Sequence, residues 1–377
     1  MSRIYLDNNA TTPIDPEVSL VMKEHLDTFI ANPSSIHFFG QEARALLQRA
    51  RETVAKYLNA KTHEILFTSG GTESLSMLMR SPFQNQYCGH VITSSIEHAS
   101  VYETARFLEK RGCSVSFLKP NSEGRIDPCD VEAHLQENTQ YVILSAANSE
   151  TGVKNDIEAI SKITGKRGIP LFIDGVSVLG KEPITIPNGV TAMAFSSHKI
   201  HGPKGVGATF VRSTHLFSPL FHGGGQEYGK RSGTENLLGI VGFAKAVELL
   251  ENKLPSASLS MQKLRDFFEE EILKFFPEAI IHGKNPRISN TSNISFPYND
   301  GESLLIQLDM HGIAVSHGSA CSSGAIEPSR VLLQMGVERA IAKSAIRFSF
   351  SRFTTKNELE KVLSTLQALL KSAYVVC

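Results

Sequence analysis

The chain has 377 residues, 41% of them hydrophobic and 20% charged, which is the composition of an ordinary globular protein able to bury a large core. Its 38 basic and 38 acidic residues cancel to a formal net charge of zero at pH 7, which argues against nucleic acid or a membrane surface as a partner. We expect neither a signal peptide nor a membrane anchor, because no apolar stretch approaches the length of a membrane span. Five cysteines without a Cys-X-X-Cys pair favour a reducing compartment, predicted to be the cytoplasm, and argue against a zinc site.

Strands and helices alternate from about residue 64 to residue 211, which predicts a mostly parallel sheet covered by helices on both faces. Short apolar runs predict the strands of this sheet at residues 64–68, 90–94, 141–145, 170–174, 192–196 and 207–211.

The rest of the chain has a different pattern. Long amphipathic helices are predicted at 237–254 and 261–276, with a hinge at 255–258, where Pro255 begins a Pro-Ser-Ala-Ser run. A mixture typical of a smaller α+β domain follows, with short strands at 293–296 and 345–350 and helices at 302–311 and 356–374.

The predicted strand at 192–196 ends in Ser196-Ser197-His198-Lys199, and a turn rich in glycine then carries the chain away. The lysine therefore stands at the mouth of a buried strand, where an ammonium charge is costly. We expect its pKa to fall and its free amine to act as a nucleophile, most simply toward the aldehyde of pyridoxal phosphate (PLP). Taken alone, the tetrapeptide also fits a surface turn.

A second buried strand, 170–174, ends in the carboxylate of Asp174. PLP withdraws electrons only while its ring nitrogen is protonated, and this requires an acid partner. Asp174 and Lys199 at neighbouring strand ends are placed to hold the two ends of one pyridine ring. An aspartate at such a position can also serve as a helix N-cap or a turn residue.

Two further features belong to the same pattern. The run from Glu64 to Glu73 reads as a strand, a Gly70-Gly71 turn and a helix beginning near Thr72, and the N–H groups of such a turn bind phosphate. His98 follows the next predicted strand, where it can lie on a ring face. Alone, the Gly-Gly turn is a weak signal and the histidine reads equally well as a structural residue.

These features occur in order at the ends of successive strands, which is where ligands bind in open α/β sheets. The chain resembles the fold-type I PLP-dependent enzymes, specifically the NifS/IscS-type cysteine desulfurases of the class V aminotransferase group. The resemblance covers nearly the whole chain and is carried by these motifs: Tyr5-Leu-Asp-Asn-Asn-Ala-Thr-Thr-Pro13, Asn32-Pro-Ser-Ser35 with His37, Thr68-Ser-Gly-Gly-Thr-Glu73, Glu97-His98, Asn148-Ser-Glu-Thr-Gly152, Ser196-Ser-His-Lys199, Arg231-Ser-Gly-Thr-Glu-Asn236 and Ile346-Arg-Phe-Ser349.

The resemblance implies an α/β fold of the PLP-dependent transferase type I, with a mostly parallel, seven-stranded sheet between helices in a large domain, residues 12–255. It assigns residues 1–11 and 256–377 to a smaller α+β domain. It implies that Arg347 and Asn148 bind the substrate and that no metal is needed. It also implies a homodimer, because Thr234 of one subunit would reach the phosphate held by the other. The PLP-binding residues that it implies are Lys199, Asp174, His98, Gly71, Thr72, Asn148, Ser177, Ser196, His198 and Thr234.

The run from Ser316 to Ala325 is a loop of small residues around the thiol of Cys321. Such loops often carry catalytic groups, and His317 and nearby polar groups would favour the reactive thiolate. A small apolar residue in a turn is the plain alternative. In the family that the chain resembles, this loop carries the sulfur-accepting cysteine, and its length is like that of the NifS/IscS group rather than the SufS group.

The implied activity is removal of sulfur from L-cysteine, giving L-alanine and a persulfide on Cys321. Lys199 and His98 would handle protons at the substrate, and the sulfur would pass to an acceptor such as an iron–sulfur scaffold or a sulfurtransferase. Two residues depart from the family pattern: Ser177 replaces a Gln that reaches the PLP phenolic oxygen, and Ser76 replaces an Asn. A class V aminotransferase, a selenocysteine lyase-like enzyme and a catalytically weakened sulfur-relay or scaffold protein remain as alternatives.

Overall fold

The computed structural model describes residues 3–26, 28, 31–83, 86–318 and 327–373. The helices are α1 Pro16–Leu26, α2 Phe38–Tyr57, α3 Gly71–Arg80, α4 Ala99–Arg111, α5 Pro128–His134, α6 Ile157–Lys166, α7 Leu237–Phe275, α8 Gly301–Met310, α9 Arg330–Gln334, α10 Arg339–Lys343 and α11 Lys356–Ala373. The strands are β1 Ile4–Tyr5, β2 Ile65–Thr68, β3 His90–Ser94, β4 Ser114–Leu118, β5 Thr139–Ser145, β6 Leu171–Asp174, β7 Ala192–Ser196, β8 Gly207–Val211, β9 Ile280–Ile281, β10 Thr291–Ser295, β11 Ile313–Ala314 and β12 Ala345–Ser349.

Within the described residues, the largest sheet has seven strands in the order β2-β8-β7-β6-β5-β3-β4. In this sheet β8 runs opposite to the other six strands, which are parallel to one another, so the predicted mostly parallel α/β sheet is confirmed. The strand β4 was not predicted. It lies at the sheet edge and alternates serine with apolar residues, so it lacks the continuous apolar run that marks the central strands.

The strand register brings several polar side chains to one edge of this sheet. Ser145 at the end of β5 is paired with Asp174 at the end of β6, and Asp174 is paired with Ala194 of β7. Ser196, the last residue of β7, is therefore beyond Asp174 on the same side. The parallel strands thus deliver a buried carboxylate and the Lys199 turn to one edge of the sheet.

The hinge predicted at 255–258 is absent, because α7 runs without interruption through Pro255. A proline inside a helix removes one backbone hydrogen bond and costs about 3 kcal/mol. Here the packing on both sides outweighs that cost, because Leu250 belongs to the core under the large sheet and Phe268 belongs to the second core. Pro255 itself is exposed between the two buried stretches.

The second core lies between the C-terminal half of α7, the sheet β12-β10-β9 and α11, and it includes Ile4 and Leu6 from the N-terminal segment. Val331 and Leu332 of α9 pack instead into the core under the large sheet. The division into residues 12–255 and 1–11 with 256–377 stays a prediction. Among the described helices, none is both long and apolar enough to cross a membrane.

Candidate active site

Lys199 ends a short 3₁₀ turn, Ser197–Lys199, that begins directly after β7. Its Nζ donates hydrogen bonds to the backbone carbonyl oxygens of Asn9 and Ala10, the latter at 2.9 Å. The segment after β1 therefore lies across the lysine and holds its amine in one position.

His198 is held by the same N-terminal segment. Its Nδ1 lies 3.1 Å from Thr11 Oγ1, and its backbone carbonyl accepts a hydrogen bond from the hydroxyl of Thr12. Burial, and then the charges of Lys199, Lys204 and Lys181, lower the pKa of His198 to about 4. The ring is therefore neutral at pH 7, and it adds no positive charge beside Lys199.

Asp174 is buried at the end of β6, and its Oδ1 accepts a hydrogen bond of 2.9 Å from the backbone N–H of Val176. Burial raises the pKa of its carboxyl group, while the nearby His98 and Lys199 and the Val176 hydrogen bond act in the opposite direction. A buried acid of this kind is suited to hold a proton on a ring nitrogen.

Glu97 adds a second buried carboxyl group to the site. Its Oε1 accepts a hydrogen bond of 2.6 Å from Ser94 Oγ, and no hydrogen-bond partner for Oε2 is found in the described structure. Burial, with a contribution from the charge of Asp174, raises the pKa of Glu97 to about 7. The site therefore contains two buried carboxyl groups, and burial raises the pKa of both.

His98 is the N-cap of α4. Its Nδ1 accepts a hydrogen bond of 3.1 Å from the backbone N–H of Ser100. A nitrogen that accepts a hydrogen bond carries a lone pair, so in the neutral ring the proton is on Nε2. Any proton exchanged by this ring therefore passes through Nε2.

A cavity of about 370 Å³ opens at the N-terminus of α3. The backbone N–H groups of the first turn of a helix have no partners within the helix and attract anions. A Cβ at Gly71 would lie 2.8 Å from Val176 Cγ2, so a side chain there would force Val176 to move, and Gly70 has a φ of +154°, which residues with a side chain rarely adopt. The cavity is lined by Thr11, Ser69, Gly70, Gly71, Thr72, Glu73, Ser196, His198, Lys204 and Gly205.

PLP requires a partner for each of its phosphate, its aldehyde and its ring nitrogen. The cavity has a helix N-terminus and Lys204 for a phosphate group, Lys199 supplies an amine near the same wall, and Asp174 supplies a buried acid. The three groups are what the phosphate, aldehyde and ring nitrogen of PLP require. The site therefore fits the cofactor.

Asn148, Ser177 and Thr234, which are also predicted cofactor residues, are not among the residues that line the α3 cavity. The side-chain oxygen of Asn148 accepts hydrogen bonds from the backbone of its own turn, and its Nδ2 donates to the carbonyl of Ile96 at 3.0 Å. Ser177 is half-buried three residues beyond Asp174. Thr234 is exposed, in a segment tied to α3 by a 2.7 Å ion pair between Arg231 and Glu73.

Arg347 lies in β12 and is almost fully buried. Its Nη2 donates to Asp7 Oδ1 at 2.8 Å and its Nη1 to the carbonyl of Ser149 at 3.3 Å. Its Nε has no hydrogen-bond partner in the described part of the chain. A buried N–H left in this way is costly, so the Nε edge of the guanidinium is suited to a substrate carboxylate.

Comparison with known proteins agrees with this geometry. The family model for class-V aminotransferases matches residues 4–362. Over 372 residues the chain is 41% identical to a cysteine desulfurase IscS of Dictyoglomus turgidum, covering 98% of this chain and 94% of that protein. The chain belongs to the cysteine desulfurases of the class-V aminotransferase family.

Solved structures support the same assignment. A NifS-like protein superposes with a TM-score of 0.91 at 36% identity, covering 98% of this chain and all of that one. The structure described as SspA in complex with cysteine superposes with a TM-score of 0.83 at 32% identity, covering 94% of this chain and all of that one. The predicted family and fold are therefore confirmed.

The predicted sulfur-accepting residue of this cysteine desulfurase, Cys321, lies outside the described residues. The chain that leads toward it is well anchored: Ser316 exchanges backbone hydrogen bonds with Arg347, and His317 Nδ1 donates to the carbonyl of Ala345 at 2.8 Å. Since Nδ1 of His317 is used in this way, Nε2 is the nitrogen left for other interactions. No group of three potential metal ligands is found among the described residues.

Sequence reasoning missed several residues of this site. Asn9 and Ala10 hold Lys199 through backbone carbonyls, which no side-chain pattern reveals. Glu97 belongs to the Glu97-His98 motif, and its position directly before His98 is the only sequence feature that indicates a place in the site. Lys181 donates to the carbonyl of Lys199, although it reads in the sequence as an ordinary lysine beyond a strand.

Proposed function

We propose that this protein is a PLP-dependent cysteine desulfurase that converts L-cysteine to L-alanine and leaves the sulfur as a persulfide on Cys321. The observation that carries the proposal is the meeting of Lys199, Asp174 and the α3 cavity at one sheet edge, with the unpaired Nε of Arg347 nearby in the fold. The sequence similarity to proteins named cysteine desulfurase supports the choice of substrate.

Lys199 would hold PLP through its Nζ, and the first turn of α3 with Lys204 would hold the phosphate. Bound PLP supplies the electron sink that allows bonds at the substrate α- and β-carbons to break. The carbonyl groups of Asn9 and Ala10 orient the Lys199 amine. As a free amine, the same Nζ would take the proton from the substrate Cα.

Asp174 would hold the proton of the ring nitrogen. Its burial excludes water from this contact, and Glu97 beside it keeps its own proton near neutral pH. The charges of His98 and Lys199 and the hydrogen bond from Val176 favour the ionised form of Asp174, which is the form able to accept this hydrogen bond.

His98 and Arg347 would act on the substrate. The Nε2 of His98 exchanges protons, because Nδ1 is occupied by the N–H of Ser100. Arg347 binds the substrate α-carboxylate through its unpaired Nε edge. The other two nitrogens of its guanidinium are already fixed by Asp7 and Ser149, which holds the fork in one orientation.

The transfer of sulfur to Cys321 requires no reactant other than L-cysteine and the enzyme. The Cys321 thiolate attacks the substrate sulfur, the bond from Cβ to sulfur breaks and a sulfur–sulfur bond forms on Cys321. The carbon fragment takes up protons and leaves as L-alanine. An acceptor such as an iron–sulfur scaffold or a sulfurtransferase, which we place with this enzyme in the cytoplasm, removes the sulfur.

The homodimer is part of the same proposal. Thr234 is exposed in its own subunit, as expected of a residue that serves a second copy. Large apolar side chains are exposed near α1 and α2, in particular Leu26, Ile36, Phe38 and Phe39. Exposed apolar side chains concentrated in one stretch of chain are typical of an interaction surface.

Subunit mixing tests the shared site. Lys199→Ala and Thr234→Ala subunits are each inactive or weakened alone, but their mixed dimer contains one intact site if Thr234 acts across the interface. Recovery of activity on unfolding and refolding the mixture supports the proposal. No recovery in mixed dimers that have been isolated by two different tags contradicts it.

The decisive experiment concerns Cys321. Wild-type enzyme supplied with L-cysteine should release alanine and carry one added sulfur on the peptide containing Cys321, removable by a reductant. Cys321→Ser should bind PLP and cysteine but release no sulfur, while Cys88→Ser, Cys113→Ser and Cys129→Ser serve as matched controls with full activity. A keto acid product would indicate an aminotransferase, activity confined to selenocysteine would indicate a lyase of that type, and no turnover would indicate a relay or scaffold protein.

A further inference from the structure

Arg330, the first residue of α9, contacts the turn that carries His98. Its guanidinium donates from Nη1 to the carbonyl of Ser95 and from Nη2 to the carbonyl of Glu97 at 2.5 Å. The same group lies 4.0 Å from the centre of the Tyr102 ring on α4. One side chain thus bridges two peptide groups of the turn and stacks on the helix that the turn begins.

The carbonyl between these two is also held from outside the turn, because Asn148 Nδ2 donates to the carbonyl of Ile96. Three successive carbonyl groups directly before His98 therefore accept hydrogen bonds from distant parts of the chain. Peptide groups fixed in this way leave the turn little freedom, so the position of the His98 ring depends on these donors.

A further contact closes the arrangement. Ser329 Oγ donates to Glu150 Oε2, and Glu150 belongs to the same turn as Asn148. The start of α9, the turn before His98 and the turn at Asn148 are thereby joined to one another in a ring of polar contacts. Ser329, Glu150 and Asn148 are buried, so water competes little for these bonds.

We propose that Arg330 is a positioning residue that fixes the His98 turn to the start of α9, nine residues beyond Cys321 in the sequence. The inference deepens the proposed function and rests on it for the role of His98. The guanidinium fixes the main chain on which His98 stands, and it also fixes the described chain that follows the Cys321 segment. A lysine at this position retains the charge but cannot bridge two carbonyls and stack at once.

The test uses the holoenzyme and three variants. Arg330→Met removes the donors and keeps the length of the side chain, and Arg330→Lys restores only the charge. Arg339→Met is the matched control, since Arg339 is an exposed residue on the neighbouring α10 and pairs only with the exposed Glu327 in the described structure. The readouts are the visible circular dichroism of bound PLP, kcat and KM for L-cysteine, and the thermal unfolding midpoint.

We expect Arg330→Met to change the visible circular dichroism and to lower kcat roughly tenfold, with KM changed less than twofold, since a displaced proton-transfer group slows chemistry more than binding. Arg330→Lys should recover little of this loss, and Arg339→Met should behave as wild type. A wild-type signal and kcat in Arg330→Met, full recovery by lysine, or an equal loss in Arg339→Met would overturn the proposal.

Two further measurements distinguish a positioning role of Arg330 from a loss of stability. If Arg330→Met lowers the unfolding midpoint strongly, Tyr102→Leu is used as a second variant. It removes the ring under the guanidinium and keeps the carbonyl contacts, so we expect smaller changes in the dichroism of bound PLP and in kcat. Addition of guanidinium ion to Arg330→Ala should restore part of kcat, while ammonium should not. The dichroism of bound PLP requires no desulfurase activity, so it tests Arg330 even if the wild-type enzyme releases no sulfur.

Discussion

The buried ammonium of Lys181 donates a hydrogen bond of 2.6 Å to the backbone carbonyl oxygen of Lys199. No carboxylate lies within ion-pair distance of Lys181 in the described chain, so its charge has no close counter-ion. Burial, followed by the charges of Lys199 and Arg352, lowers the pKa of Lys181 to about 7. The residue therefore holds the lysine turn in place and carries a proton only at the lower end of the neutral range.

We predict that the wild-type protein gains stability relative to Lys181→Met as the pH rises from 7 to 9. The pKa of Lys181 is lower in the folded than in the unfolded protein, so the unfolded state binds more protons in this range. Because protons favour the unfolded state, the free energy of unfolding rises as the pH rises. The difference in the free energy of unfolding should change by about 2 kcal/mol. Urea unfolding of the cofactor-free proteins at several pH values measures it, with the exposed Lys162→Met as control, and a pH-independent difference would contradict the prediction.

Glu97 should show the opposite pH dependence. Its pKa is about 7 in the folded protein, above its ordinary value of 4.5, so the folded state binds more protons between these values. The wild-type protein should therefore lose about 3 kcal/mol relative to Glu97→Gln as the pH rises from 4.5 to above 7. Unfolding of both cofactor-free proteins across this range provides the measurement, and parallel curves would show that Glu97 titrates normally.

Arg347 should act mainly on substrate binding. Replacement by lysine keeps a positive charge but loses the forked guanidinium, so we expect KM for L-cysteine to rise about tenfold or more, with a smaller change in kcat. Steady-state kinetics of Arg347→Lys tests this, with the exposed Arg339→Lys as control. An unchanged KM would mean that the carboxylate is bound elsewhere.

Lys199 should be the residue to which PLP is attached. Borohydride treatment of the holoenzyme followed by peptide mapping should find the reduced cofactor on Lys199 alone, and Lys199→Ala should carry no covalent label. Lys181 and Lys204 are the neighbouring amines that a wrong assignment would label. Label on either of them would contradict the site.

Asp174→Ala should separate cofactor binding from turnover. The cavity at α3 that we propose for the phosphate and the amine of Lys199 remain in this variant, so it should keep part of its bound PLP. Loss of the acid partner of the ring nitrogen should lower kcat about 10²-fold or more. Absorbance of the bound cofactor and alanine release are the two measurements, and full activity would show that the ring lies elsewhere.

The parts of this structure that follow from local sequence were predictable. The strands β6 and β7 match their predicted bounds to within one residue, because each is an unbroken apolar run followed by polar residues. Their ends carry Asp174 and the Lys199 turn, so the central residues of the candidate site could be predicted from these two runs. The motifs quoted from the sequence identified the family, which the comparisons confirm.

The features of the structure that were not predicted depend on tertiary contacts. Pro255 and the polar residues after it favour a break, yet packing at both ends keeps α7 continuous. The carbonyl of Asn9 meets the amine of Lys199 across 190 residues of sequence, and backbone carbonyls have no sequence signature. The raised pKa of Glu97 and the lowered pKa of Lys181 arise from burial, which a local pattern of charged residues does not report.

The contacts of the N-terminal segment set an order of events during synthesis. Asn8 Nδ2 donates to the carbonyl of Ser349, and Asp7 pairs with Arg347, so these two residues wait for partners that are made about 340 residues later. Ribosomes deliver the chain from the N-terminus, and the large sheet emerges before β12 does. Until β12 has emerged, the segment that lies across Lys199 has its contacts with the lysine turn but lacks those with Arg347 and Ser349, so the full ordering of the backbone over the Lys199 amine follows the synthesis of β12.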